Sequence, residues 1–557
     1  MKDKRFFFLT LGISLLALVL RLYRLGEIPI SLHWDEASWA YNAWSILKTG
    51  RDEYGQFLPL IFKAFGDYKA PVYVYLTSLS MIFFGLTEFA VRFPAALFGA
   101  LDVFLLAYFA RSLFYRFKSS RTIGFLAAFS LALSPWHYDY SHGAWEANVL
   151  FAFYLLGLIL FLRTIRGRKG LMLSAVFFSL CFYVYASAKL VIPLTAIGLI
   201  LIYGREFFEK VPVKKIILAL ILVAVICLPV GYQLFFRKTG GRLRVMSVFS
   251  YPRLAEKTNE IARIEGNLPT SGRYRLFHSD FHYFFRNIFW RYLNHFSPRF
   301  LFFEGDWDDL RHGIPDFGVL NYLDLVFLPA GAWFLLRKKI KGQRFLWLLL
   351  LVAPLPAALS RDAVQSLRAY FMVLPLSLIS AFGAYFLLMK LKRRPFSGQC
   401  LLGGSLALTY FFVFALFWDR YFVHAPKVNS SYWQYGYREA VEFVKNRQAD
   451  YEKIVFTSKY GQPYIFYLLY SCYPPEDYQK QAQLIEHPQG DVGQVLKIDK
   501  IEFRELYWPK DRFKPGVLYV GATYEIPEGD IDPKEARVLK DIYFLNGDLA
   551  FRIAETY

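Results

Sequence analysis

Four cysteines in 557 residues are too few for a disulfide scaffold. Their placement agrees: Cys181 and Cys227 fall inside apolar segments, Cys400 adjoins a basic loop, and Cys472 alone lies in a polar region. Charge is scarce as well. Asp, Glu, Lys and Arg make up 20% of the chain, against roughly a quarter in soluble domains, which excludes a disordered tail protein. No Walker A, GxGxxG, CxxC or HExxH pattern occurs, so nothing points to nucleotide hydrolysis, redox chemistry or a soluble nucleotide-sugar site. Low-complexity segments and internal repeats of roughly 20–50 residues are also lacking.

Apolar residues are abundant: 55% of the chain is hydrophobic and 19% aromatic, in recurring runs near the roughly 20 residues that cross a bilayer. The expected class is a mostly α, polytopic membrane helical bundle. Eleven candidate spans are read at 6–25, 92–115, 122–136, 148–165, 171–187, 189–204, 216–236, 319–336, 344–360, 368–390 and 401–420. The first is read as an uncleaved helix, because no small-residue cleavage site precedes Arg21. The net charge of +20 does not indicate a nucleic-acid partner, because its Lys and Arg cluster in short runs between apolar segments, such as Arg337–Lys339 and Lys390–Arg394.

The stretch from Ala70 to Gly85 decides the topology. If it crossed the membrane, every later basic loop would move outside. If it stays interfacial on the outer face, five basic loops and the basic N-terminus share the cytoplasmic side. On the second reading the cytoplasmic segments hold 24 Lys/Arg and three acids (Asp3, Glu206 and Glu209), which accounts for the whole net charge. A bundle over 1–423 then carries outer loops at 26–91 and 237–318, and an extracytoplasmic domain covers 424–557. That tail holds 17 Lys/Arg and 20 Asp/Glu. An amphipathic helix at 435–449 and buried strands at 453–458 and 516–521 make it a small α/β domain. Tyr432, Trp433, Tyr435 and Tyr437 near its start read best as an interfacial belt, although they also suit sugar stacking.

Chemistry concentrates in the outer segments. His33-Trp-Asp35-Glu36 follows the first span. Adjacent carboxylates hemmed in by Trp34 and Trp39 are costly unless used or paired, and desolvation is expected to raise their pKa toward that of a general base, with activity falling as pH drops through it. The same acids equally suit a helix N-terminus. Asp67-Tyr68-Lys69 precedes the interfacial stretch, where an ammonium can meet a phosphate or simply snorkel. Asp139, His142 and Glu146 could line a polar cavity, but their spacing fits no familiar metal motif. The large loop interleaves aromatics with cations around His295, Arg299 and Arg311-His312, which suits sugar stacking, phosphate binding or a surface lid. Arg368, at the outer mouth of a span beside Tyr370, calls for an anionic partner.

Together these segments resemble the GT-C superfamily of integral-membrane glycosyltransferases, family 39 in particular, which includes protein O-mannosyltransferases and lipid A aminoarabinose transferases. The resemblance rests on Asp35-Glu36, on Lys69-Ala-Pro71 leading into a juxtamembrane helix, on Glu88-Phe-Ala-Val-Arg92-Phe-Pro94, and on Arg368-Ala-Tyr370. It departs from the family beside the lysine, where an acid, a His or a following Pro-Pro is common. Asp67 is the nearest candidate for that acid.

The resemblance implies an inverting transfer, on the outer face, from a polyprenyl-phosphate-linked sugar to a hydroxyl of a lipid, glycan or protein acceptor. Asp35 would be the base, with Glu36 orienting it, and Lys69 and Arg368 would bind the donor phosphate. His33, Asp67, Tyr68, Glu146, His295, Arg299 and Tyr370 would line the cavity. It implies no required cofactor or bound metal, since cations do the electrostatic work, although other superfamily members use a divalent ion. A bacterial inner membrane, with the N-terminus cytoplasmic, fits this reading, and membrane lipid is the surrounding partner. A transporter or flippase would show half-to-half symmetry and helices broken at the midplane, which are absent here. A non-catalytic surface-assembly scaffold is the third reading.

Overall fold

The computed structural model describes residues 2–236, 245–266, 269–487 and 492–557. The expected loop start at 237 therefore lies outside the described residues. In chain order the first half contains α1 (Lys2–Leu22), α2 (Trp34–Thr49), the hairpin β1 (Phe62–Ala64) and β2 (Asp67–Lys69), and α3 (Pro71–Phe84). Then come α4 (Glu88–Leu113), α5 (Ser120–Ala132), α6 (Pro135–His142), α7 (Ala147–Thr164), α8 (Leu171–Leu180), α9 (Ala188–Lys210) and α10 (Val213–Phe236). Helices at Asp324–Lys338, Gln343–Val352, Val373–Leu391 and Phe396–Asp419 complete the bundle.

Among the described residues, seven helices are long and apolar enough to cross a membrane. Of the other four expected segments, three fold as the shorter apolar helices Ser120–Ala132, Leu171–Tyr183 and Gln343–Ala358, and the fourth as the 15-residue helix Asp324–Lys338. Pro135 opens α6 two residues after α5 ends, and Pro354 starts a separate turn at Leu355–Ala358. α4 lies at the centre, packed against α1, α3, α5 and α7. Gly331 and Gly383 bring Asp324–Lys338 and Val373–Leu391 so close that neither position has room for a Cβ.

α3 has 14 residues and rises about 21 Å, short of the roughly 30 Å hydrocarbon core. It lies against its neighbours, with the Tyr73 hydroxyl donating to the Val91 carbonyl (3.0 Å) and the Ser78 hydroxyl to the Ala43 carbonyl (3.1 Å). The chain ends agree with a non-crossing α3. Asp3 at the start of α1 pairs with Arg111 at the end of α4 and Arg121 at the start of α5, each at 2.8 Å. Arg166 donates to the Ser112 carbonyl, and Lys341 pairs with Glu206 at 3.0 Å. The basic termini thus share one end of the bundle, and the first loop stands at the other.

The C-terminal region carries a six-stranded sheet of order β4-β5-β3-β6-β8-β7, built from Lys497–Ile498, Ile501–Phe503, Lys453–Phe456, Val517–Ala522, Leu549–Thr556 and Ala536–Tyr543 respectively. β3 runs parallel to β5 and β6, and the β7–β8 hairpin closes antiparallel onto β6. The amphipathic helix occupies Tyr437–Arg447. The last span continues through a π-helical turn at Arg420–His424 to Val428, so residue 424 sits inside a continuous helix. The expectation of an interfacial belt is corrected at Trp433 and Tyr437. Both are buried, Trp433 beneath the Arg92 guanidinium and Tyr437 stacked on Phe456 and Phe466.

The sheet domain docks on α2. The Trp34 amide donates to Gln434 Oε1 (2.9 Å), the Tyr41 hydroxyl to the Tyr473 carbonyl (3.0 Å), and the Tyr464 hydroxyl to Glu53 Oε2 (3.3 Å).

Candidate active site

α2 starts where His33 caps it, its ring Nδ1 accepting from the Asp35 amide (3.2 Å). Asp35 and Glu36 then fill the first turn, where the exposed amides and helix dipole favour anions. Adjacent positions on a helix point about 100° apart, and that angle separates the two acids. Glu36 turns into the protein. Its carboxylate takes Arg92 Nη2 at 3.1 Å and the Ala144 amide at 2.6 Å. Arg92, fully buried on α4, also donates to the carbonyls of Leu25 (3.3 Å), Pro29 (2.8 Å) and Ser31 (2.7 Å). One guanidinium therefore staples the loop before α2 and fixes the helix that carries Asp35.

Asp35 turns toward a cluster of cations. Its Oδ1 meets Lys69 Nζ at 2.5 Å, and its Oδ2 lies 3.4 Å from His33 Nδ1 and 3.5 Å from Arg311 Nη1. Lys69 is delivered by the β1–β2 hairpin, whose turn puts Phe65 (φ 57°) and Gly66 (φ 81°) in the left-handed region that suits a tight two-residue turn. Alternation along β2 sets Asp67 and Lys69 on one face, 3.2 Å apart, and half-buried Tyr68 on the other. Arg311 comes from a 3-10 turn at Leu310–His312 capped by Asp309, to which it is paired at 2.6 Å. It also lies 2.9 Å from the His33 ring.

The electrostatics correct the sequence expectation for Asp35. Burial does push its carboxyl up, but Lys69, His33 and Arg311 outweigh that and hold it well below the usual carboxylate range. Burial and the Arg311 charge lower His33 to about 4, and burial lowers His312 to about 3. Glu146, at the N-cap position of α7, is raised instead. Burial lifts it to about 8, and it feels both the Lys69 ammonium and the Asp35 carboxylate.

The remaining expected residues divide. Arg368 is not brought to Asp35. It pairs with Asp362 at 2.9 Å, and its charge reaches His312. His295 fastens two segments, its Nδ1 bonded to the Arg291 carbonyl (2.7 Å) and its Nε2 accepting from the Gln365 amide (3.1 Å). Arg299 pairs with Glu304 at the surface and stacks on Trp307. Tyr370 is buried in its span, bonded to Asn148 Oδ1 at 2.5 Å. Among the described residues no group of three His, Cys, Asp or Glu side chains is placed to hold a metal ion.

Sequence reading missed the position of Arg311 at Asp35 and the supports behind it. The Tyr140 hydroxyl joins His312 Nδ1 (3.0 Å) to Ser366 (2.7 Å), and Ser366 donates twice to Asp306. The available signal was the density of charge from Glu304 to His312 in an otherwise apolar chain.

A carboxylate facing two cations thus lies at the end of a helical bundle, under a docked α/β domain, and solved structures share that overall architecture. ArnT from Cupriavidus metallidurans in the apo state matches with a TM-score of 0.52 at 12% identity, covering 98% of this chain and 97% of that one. The same protein bound to undecaprenyl phosphate matches with a TM-score of 0.50 at 13% identity, over 97% of each chain. The oligosaccharyltransferase AglB from Archaeoglobus fulgidus, in complex with an inhibitory peptide and a dolichol-phosphate, gives 0.50 at 13% identity, over 83% of this chain and 63% of that one. The chain shares its fold with these solved membrane proteins. The family model described as dolichyl-phosphate-mannose-protein mannosyltransferase matches residues 68–232, a stretch that includes Lys69 and Glu146 but begins after Asp35. No curated protein matches.

Proposed function

We propose that the chain is a glycosyltransferase that moves a sugar, with inversion, from a polyprenyl-phosphate-linked donor to an acceptor hydroxyl on the extracytoplasmic face of the membrane. The observation that carries this reading is the placement of Lys69 at 2.5 Å and Arg311 at 3.5 Å from Asp35. A base able to take the acceptor proton and two cations able to take the leaving phosphate thus share one pocket. The phosphate falls to Lys69 and Arg311, with Arg368 holding the segment behind them through Asp362.

The low pKa of Asp35 gives the sequence of events. Two of the groups that depress it, Lys69 and Arg311, are those that receive the phosphate. As the donor phosphate draws Lys69 and Arg311 to itself, Asp35 loses its partners and becomes more basic beside the acceptor hydroxyl. The acceptor oxygen forms its bond to the anomeric carbon from the face opposite the phosphate, and its proton passes to Asp35. The carbon–oxygen bond to phosphate breaks, its electron pair leaving on the lipid phosphate that Lys69 and Arg311 stabilise. Glu36 acts by position, through Arg92.

The test is incubation of the purified full-length protein with a panel of undecaprenyl-phosphate sugars and acceptors, reading the release of free lipid phosphate. Release with at least one donor, abolished in Asp35→Asn, is the expected outcome. No release from any donor, with active relatives as controls, refutes the reading and favours the scaffold.

A further inference from the structure

The sheet domain reaches both halves of the Asp35–Lys69 pair through one short stretch, residues 460–464, which follows β3 and enters the helix Pro463–Tyr470. The reaction above gives this stretch no part. On one side it meets Trp34, the residue before Asp35. Gly461 lies against the indole with φ 112°, in the left-handed region, and a Cβ there would overlap the ring. Both the backbone and the close approach therefore require glycine. Beside it, Gln434 donates from Nε2 to the Tyr460 carbonyl and accepts the Trp34 amide on Oε1 (2.9 Å). That side chain ties the stretch to the first turn of α2.

On the other side it meets Phe65, at the tip of the hairpin that delivers Lys69. The Gln462 side chain donates to the Gly493 carbonyl at 2.9 Å, and the Gly493 amide donates to the Phe65 carbonyl. The Phe65 ring stands edge-on to Tyr464, 6.0 Å between centroids, and its centroid lies 5.9 Å from the Lys69 ammonium. Gln434, Gln462, Phe65 and Tyr464 are all buried, so these contacts form away from competing water. At the rim, Lys63 of β1 pairs with Glu486 at 2.7 Å. The base of the hairpin is held separately, by Phe62 packing on Tyr75 of α3 at 5.5 Å. Its tip rests on the sheet domain.

We propose that residues 460–464 form a positioning clamp for the transfer: Gly461 seats Trp34, Gln462 and Tyr464 seat Phe65, and the sheet domain thereby sets the separation of Asp35 and Lys69. Gly461 and Gln462 are positioning residues, acting on the reacting groups through Trp34 and Phe65. Asp35 and Lys69 come from separate elements, so their 2.5 Å contact holds only while both elements are fixed to a common support. A misplacement of about 1 Å at a reacting pair can cost about 10²-fold in rate. The proposal rests on the glycosyltransferase reading for the rate that the clamp governs, whereas the clamp itself is read from the exposure of Lys69.

The test uses full-length protein in nanodiscs and two variants. Gln462→Leu removes the bond to Gly493 at nearly constant volume, and Gly461→Ala forces Trp34 away. An amine-reactive probe followed by peptide mass spectrometry gives the labelling rate of Lys69, with Lys341 at the other end of the bundle as the internal standard. The Lys69 side chain is 9% exposed and should label about tenfold faster in both variants as the clamp opens. In Gly461→Ala, kcat should fall about 10²-fold with donor KM changed less. The same variant should gain an acid limb in kcat/KM above about pH 4, because Asp35 loses the ammonium that holds its carboxyl down. If Gly461→Ala does not fold, Gln462→Leu decides. The clamp is overturned if a folded variant labels Lys69 at the wild-type rate, or if kcat falls with the pH profile unchanged. If the wild type turns over no donor, the glycosyltransferase reading fails and labelling alone judges the clamp. Faster labelling of Lys69 in Gln462→Leu then upholds it, and equal rates overturn it.

Discussion

Replacing Arg92 with Met tests the foundation on which Asp35 stands. The guanidinium is fully buried, pairs with a Glu36 carboxylate that is only 3% exposed, and satisfies three carbonyls of the loop before α2. Methionine fills similar space but leaves a buried carboxylate unpaired, a change that typically costs about 3–5 kcal/mol. Each carbonyl left without its donor adds about 1 kcal/mol or more. Arg92→Met should therefore lose about 6–8 kcal/mol, a large share of a typical stability of about 5–15 kcal/mol. Glu36→Gln in the same chain removes the stranded charge while still accepting from the Ala144 amide, so the double variant should recover at least about 2 kcal/mol. Reversible unfolding in nanodiscs measures both quantities, and donor-phosphate release measures how far Asp35 has moved. The reasoning fails if Arg92→Met unfolds within about 1 kcal/mol of the wild type, or if the double variant is no more stable than Arg92→Met alone.

Asp35→Asn should lower kcat by about 10²–10⁴, the range for loss of a general base. It should also bind free polyprenyl phosphate more tightly, because Lys69 loses its 2.5 Å partner. Weaker phosphate binding in that variant would contradict the competition described above. Because Lys69, His33 and Arg311 hold Asp35 well below the usual carboxylate range, kcat/KM should show no Asp35 limb above about pH 4. The limb belongs to kcat, measured in the occupied complex, and an acid limb near pH 6 in kcat/KM would refute the assignment. Glu53, buried where the sheet domain docks and bonded to Asn42 and Tyr464, is lifted by burial to about 8. An acid whose folded pKa exceeds its unfolded value of about 4.3 destabilises the fold progressively as pH rises between the two. Thermal unfolding of the wild type should thus lose ground to Glu53→Gln from about pH 4.5 to about pH 8, and parallel pH curves would exclude the effect. Cys400 and Cys472 are both exposed and free, so a membrane-impermeant maleimide applied to intact cells should label Cys472 and spare Cys400. Labelling of Cys400 alone would invert the topology.

Much of the architecture was legible because membrane solvation writes it into composition. Apolar runs mark helices that must satisfy their own backbone, and the sign of the loops between them gives parity. That parity argument kept α3 out of the span count, and the Asp3 pairs with Arg111 and Arg121 agree with it. Asp35, Glu36 and Lys69 stood out because charged groups beside an apolar helix are rare. In the tail, period and apolar runs located the helix at Tyr437–Arg447 and the strands at Lys453–Phe456 and Val517–Ala522. The β7–β8 hairpin escaped, since its outer strand alternates weakly and its pairing is set by its neighbour.

What the sequence by itself determined was the solvent each segment occupies, because transfer free energy is a local property of residue type. Only the tertiary structure decided which charges meet. Arg311 reaches Asp35 from 276 positions away in the chain, whereas Arg368, equally conspicuous in sequence, turns to Asp362. The same holds for protonation. From residue type and burial alone Asp35 reads as a raised carboxyl, but in the fold the cations gather at Asp35 and lower it, whereas burial raises Glu146. A pKa answers to distances of a few ångströms among side chains from separate helices and loops, and packing alone sets those distances.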